Sequence, residues 1–258
     1  MRRGGLSRFA NPLASPTLRA TMAGFMLETA DVREAPWRAG LRAARAHLAP
    51  GFALQLCALA LVLAYYRHAP THAALDALAD FRARTGWIYG VVATGLFGGV
   101  LPFAYLKLHP ATRRRYDGRQ GAFLLAFWSY KGFEVDLWYR LMNAAVGPGH
   151  DAATIATKTF LDQFVYCPLF AVPVSTLVYA WCEARFDSAE VRADIGAGGW
   201  YARRVLPMLI GNLGVWVPAV CIVYALPLPL QLPLFNLVLC FFTLVLAHMA
   251  KREEPPAR

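Results

Sequence analysis

The chain has 258 residues, 57% hydrophobic and only 16% charged, with a mean hydropathy of +0.38. A soluble domain of this size carries about a quarter charged residues, so an ordinary water-soluble fold is excluded. The net charge of +10 comes with no nucleic-acid-binding motif; it reads as basic loops flanking a membrane, with no nucleic acid as partner.

The charge deficit is spatially organised. Residues 85–106, 163–182 and 205–250 contain no Asp, Glu, Lys or Arg. A bilayer-spanning helix needs roughly 20 such residues. The expected fold class is all-α, a polytopic transmembrane helical bundle.

In chain order, residues 1–49 read as a basic N-terminal tail. Met1 to Leu27 holds four arginines and no acid, a composition that suits an organelle transit peptide and a plain basic tail equally. From Trp37, an apolar stripe of Trp37, Leu41, Ala44 and Leu48 runs beside Arg38, Arg42 and Arg45, the pattern of a helix lying on the membrane surface. Residues 50–84 add a first span, Gly51–Tyr66, and a loop whose Leu75, Leu78 and Phe81 suggest a short interfacial helix. Residues 85–250 form the core. Its first span, Thr85–Leu106, carries Gly86 and Gly90, then Gly95 and Gly99; each pair is a G-x-x-x-G that permits close helix approach. The next, Gln120–Tyr139, is interrupted by Lys131, Glu134 and Asp136, and Thr159–Cys182 follows. Pro227, Pro229 and Pro233 divide the last long run, because proline lacks a donor and disfavours helix before it. That leaves Val205–Ala225 and Leu232–Met249 as spans and residues 251–258 as a C-terminal tail. About six spans put 20 Lys and Arg on the side of both termini and 5 on the other, as the positive-inside rule requires.

The charges inside the third span are the anomaly. A charge at a helix centre costs roughly 2.5–3.5 kcal/mol on insertion scales, so such residues face the bundle interior or a water-filled cavity. Lys131 and Glu134 share one face at i, i+3, and Asp136 and Arg140 share another at i, i+4. Asp162 and Gln163 start the next span in the same half of the membrane. The expectation is a polar cluster of Lys131, Glu134, Asp136, Asp162 and Gln163 around a wet vestibule. The plainer alternatives are a purely structural Lys131–Glu134 pair and an interfacial Asp162 paired with Lys158. Asn212 and Gln231 are expected to bridge helices, and Trp138 and Tyr139 to anchor a helix end at the lipid interface. The five cysteines lie in apolar segments without a C-x-x-C, and no metal, cofactor or enzyme signature occurs.

Two stretches, "WYRLMN" and "KTFLDQFVYCPLF", resemble the Mpv-seventeen / peroxisomal-membrane-protein family. Its central pattern is roughly G-P…H-x-W-Y…L, then K-x-x-x-D-Q-x-x-x-x-P. Gly132, Trp138, Tyr139 and Leu141 correspond to the first part, and Lys158, Asp162, Gln163 and Pro168 to the second. Asn212, Trp216 and Pro218 echo a later N-W-x-x-W-P block. Phe133 and Asp136 stand where the family has proline and histidine, and the arginine after the last proline is missing. The resemblance spans about Thr85 to Ala250 and marks a divergent member. It implies an integral protein of a peroxisomal or mitochondrial inner membrane, or of a bacterial inner membrane, and no catalytic residues. Several members are described as small channels.

The expected function is a small, weakly selective channel for ions or small metabolites, with the lipid bilayer, its solutes and further copies of the chain as partners. The alternative is a non-transporting membrane scaffold or assembly factor. A membrane-embedded lipid enzyme would need a nucleophile–base pair or metal ligands, and the histidines are badly placed for either.

Overall fold

Eight helices and no strand occur among the residues that the computed structural model describes, 35–110, 113 and 117–252. The tail read over Met1–Leu27, the basic residues Arg114 and Arg115, and the tail beyond Arg252 lie outside them. The helices are α1 (Pro36–Arg67), α2 (Ala69–Thr85), α3 (Trp87–Leu108), α4 (Gly118–Val146), α5 (Ala152–Glu183), α6 (Ser188–Gly196), α7 (Tyr201–Tyr224) and α8 (Leu228–Arg252). Acidic caps start three of them. The Asp117 side chain accepts from Gln120 N at 2.8 Å while Gln120 Oε1 accepts from Asp117 N at 3.2 Å, a reciprocal capping box opening α4. Asp151 accepts from the Ala153 and Thr154 backbone and the Thr154 hydroxyl to open α5, and these bonds hold its carboxyl below the usual range. Asp187 caps α6, a short helix that the sequence pattern does not announce.

Four helices, α1, α3, α5 and α7, are long and apolar enough to cross a membrane, which marks the chain as an integral membrane protein of the helical type. Charge counting leads to six. The difference has two causes: α4 carries Lys131, Glu134 and Asp136 in its middle, and the apolar part of α8 has 17 described residues, Leu228–Leu244.

The surface-lying helix and the first span expected around residue 50 are one continuous 32-residue helix with Pro50 inside it. Its small residues pack along α7 throughout. A Cβ on Gly40 would come 2.7 Å from Ile210 Cβ, and one on Gly51 would come 2.7 Å from Val215 Cγ2. Gln55 donates to the carbonyls of Gly214 and Val215, both at 3.1 Å, and Tyr66 donates to the Ala225 carbonyl at 2.7 Å. These contacts advance in the same direction on both helices, so α1 and α7 run parallel. Trp37 and Leu41 are exposed; Leu48 is too, but its Cδ2 stands 3.8 Å from where a Cβ on Gly214 of α7 would lie.

Helices α3 and α4 run antiparallel on a glycine seam. Gly90 meets Gly132, Gly95 meets Ser129, Gly98 meets the Trp128 ring and Gly99 meets Leu125. Gly86 takes no part: it precedes α3 at φ +60° with open space around it, a conformation that favours glycine. Three of the apolar helices contain a π-helical stretch, Gly95–Val100 in α3, Leu161–Ala171 in α5 and Tyr201–Val205 in α7. The α5 stretch includes Pro168, whose carbonyl accepts from the Tyr201 hydroxyl at 2.8 Å. Helix α8 begins at Leu228, four residues before the expected start, because Pro229 falls in the first turn, where no amide hydrogen is needed.

Helix α4 is amphipathic in reverse. Leu125, Phe133, Leu137 and Leu141 are exposed, whereas Lys131, Glu134 and Asp136 are buried. An apolar outside and a charged inside is the arrangement that suits hydrocarbon. The main core joins α1, α4, α7 and α8 around Tyr139, Val223, Tyr224 and Leu232.

Candidate functional site

The buried charges gather at one end of the bundle, where α1 turns into α2, α4 into α5 and α7 into α8. Three groups form there. In the first, α2 delivers Arg82 into the interior, where it is 3% exposed. Its guanidinium bonds Asp136 Oδ1 and donates to the Leu228 carbonyl at 2.6 Å. Asp136 Oδ2 accepts from Arg140 Nε at 2.7 Å, and the Arg140 side chain is half exposed. Asp136 thus faces α2, turned away from the other acids of the expected cluster.

In the second group, Lys131 pairs with Glu134 one turn on, and the Tyr166 hydroxyl of α5 donates to the same Glu134 oxygen. The Lys131 ammonium sits 5.8 Å from the Tyr166 ring centroid, within cation–π range.

The third group surrounds Asp162. Its carboxylate accepts from Trp138 Nε1 at 2.9 Å, from the Tyr224 hydroxyl at 2.9 Å and from Gln163 Nε2 at 2.7 Å. Trp138 also stacks on Tyr166, with ring centroids 4.3 Å apart at 14°, which joins this group to the second. Trp138 and Tyr139 are therefore not interfacial anchors. Trp138 is held by Asp162, and Tyr139 is 1% exposed and packs edge-on against Tyr224. Trp138→Phe should keep the stack but remove one donor from a buried carboxylate, which costs about 1–3 kcal/mol; denaturant unfolding in detergent measures it.

Asp162 does not pair with Lys158. Tyr224 engages both instead, with its hydroxyl on the carboxylate and its ring centroid 5.8 Å from Lys158 Nζ. Lys158 is fully buried, and its ammonium has no hydrogen-bond partner among the described residues.

A cavity of about 150 Å³ opens beside these groups, between α4, α5, α7 and α8. Lys131, Asp162 and Gln163 line it, together with Asn212 and several aromatic rings. Glu134 stands behind Lys131, and neither it nor Asp136 reaches the wall. Of the five residues expected around a vestibule, three share one cavity.

The two amides expected to bridge helices do other work. Gln231 donates to the Leu226 carbonyl at 3.0 Å and closes the α7–α8 turn, and Asn212 faces the cavity. The interhelical amide is Asn236, which accepts from Thr94 of α3 at 2.8 Å. The other residues of the family pattern have local roles. Gly132 lies in the α3–α4 seam, Trp216 lines the cavity, Pro218 sits inside α7 and Leu141 is exposed.

Arg82 is the site residue that the sequence reading passes over as a loop charge. The signal was present, since Leu75, Leu78 and Arg82 fall on one helical face of α2. Comparisons of the chain with protein-family models, with curated proteins and with solved structures find no match.

Proposed function

We propose that the bundle is a small, weakly selective channel for ions or small polar metabolites, held here in a closed form. The observation that carries this reading is the cavity lined by Lys131, Asp162 and Gln163 inside an otherwise apolar helical bundle. Ionisable groups are costly at this depth and are characteristic of solute pathways in membrane proteins. In this reading α4 and α8 cross the bilayer beside the four apolar helices, with both termini on one side. The exposed apolar face of α4 supports that, as do the parallel α1–α7 and antiparallel α3–α4 seams. Arg82 and Lys158, two of the five basic residues on the less basic side, are buried, so fewer cations face water there. The resemblance of residues 132–168 to the Mpv-seventeen / peroxisomal-membrane-protein family points to the same class.

The test is solute efflux or conductance in liposomes containing the full chain. Lys131→Met and Glu134→Gln, each checked for folding, are expected to change flux at least several-fold. Unchanged flux in both would overturn the assigned lining, and no flux in any sample would overturn the channel reading.

A second reading, a non-transporting scaffold, is favoured by the pairing of Lys131 with Glu134 and of Asp136 with two arginines. Replacing Lys131 and Glu134 together by apolar residues of similar volume would leave a scaffold folded and competent, but would abolish or alter flux through a channel.

A further inference from the structure

The hydrogen bonds around the cavity divide its polar groups into spent and unspent. Asp162 is spent: its two oxygens accept from Trp138, Tyr224 and Gln163. Ser175 and Thr243 are spent as donors, because their hydroxyls bond the carbonyls of Ala171 and Cys240. Lys131 is not. Its ammonium has three hydrogens and one bond, to Glu134. Asn212 also lines the cavity, and its amide can donate and accept. Lys131 thus keeps charged donor hydrogens unspent beside a space whose other surfaces include Trp128, Trp216 and Phe235.

Charge divides the wall between Lys131, paired with Glu134, and Asp162. An anion can use the unspent ammonium hydrogens of Lys131, whereas the oxygens of Asp162 are already taken by three donors. An apolar cavity of about 150 Å³ takes a molecule of benzene size.

We infer that the cavity is a binding site for a small monocarboxylate with a compact aromatic or branched apolar body. Its carboxylate accepts from Lys131 and Asn212, and its apolar part lies against the tryptophans and Phe235. The assignment rests on the channel reading only for the ligand's onward passage; occupancy of the site stands by itself.

The experiment is isothermal titration calorimetry of the detergent-solubilised full chain with benzoate, benzylamine and benzamide at neutral pH. Benzoate is expected to bind saturably, with benzylamine and benzamide at least tenfold weaker. Lys131→Gln should weaken benzoate at least tenfold, and Lys131→Arg should stay within threefold of the parent. Asn212→Leu, which leaves the charged groups intact, should weaken benzoate at least threefold and serves if Lys131→Gln does not fold. Benzylamine or benzamide binding as tightly as benzoate would overturn the inference. So would benzoate affinity unchanged in folded Lys131→Gln or Asn212→Leu, or the absence of saturable benzoate heat. Efflux of benzoate from liposomes is read separately: binding without efflux sinks the channel and keeps the site, and efflux of other solutes without benzoate binding does the reverse.

Discussion

Arg82→Met is expected to destabilise the protein by about 3–5 kcal/mol, the usual cost of removing one member of a buried ion pair. The methionine would fill much of the same space, so the loss is electrostatic. Asp136 is 2% exposed and would keep only Arg140, whose side chain is half in contact with the surroundings. The Leu228 carbonyl would lose its donor as well, loosening the junction between α2 and the start of α8. Denaturant unfolding in detergent reads the effect. The double variant Arg82→Met/Asp136→Leu should recover most of it, because two well-packed apolar groups leave no uncompensated charge behind. A double variant as unstable as the single one would mean that Arg82 matters for its shape and not for its charge.

Gly132→Val is the second large effect. A Cβ at this position would run into the Gly90 carbonyl and come 2.8 Å from Thr94 Cβ. Neither obstacle is the end of a flexible side chain, so α3 and α4 must separate, and the contacts at Gly95, Gly98 and Gly99 loosen with them. Overpacking a core costs about 1–3 kcal/mol, occasionally more, and a backbone-to-backbone clash belongs at or above the top of that range. Gly118→Ala on the same helix, with nothing within 4 Å of the new methyl, should stay within about 0.5 kcal/mol of the parent. The pair of variants, unfolded side by side, separates the seam from glycine's general effect on a helix.

Much of the architecture is legible because hydrocarbon imposes a simple code. Uncharged runs of 20 or more residues mark helices, and the charges at 131, 134 and 136 lie on the buried face of α4 because the exposed face has to be apolar. The i, i+3 and i, i+4 spacings identify the Lys131–Glu134 and Asp136–Arg140 pairs by helical geometry alone. What the pattern does not carry is which neighbour answers each group. Asp162 could as well have met Lys158 one turn earlier; Tyr224, 62 residues away, takes its place. Arg82 reads as a loop cation until α2 folds back onto α4. Pro229 misleads for a local reason: it falls in the first turn of α8, where its missing amide hydrogen is not needed. The π-helical stretches leave no common sequence mark, since Gly95–Val100 is rich in glycine, Leu161–Ala171 holds Pro168 and Tyr201–Val205 has neither; the wider turn is a choice of backbone pairing.

The seating of Lys131 and Glu134 on one turn of one helix also has an electrical side. A single elementary charge carried through a membrane potential exchanges about 2.3 kcal/mol with the field for every 100 mV. Opposite charges carried together exchange almost nothing, so a shift or tilt of α4 is nearly silent to voltage. Lys158 and Asp162 stand one turn apart on α5 in the same way, so a shift of either charged helix gives the potential across the membrane little purchase on this bundle.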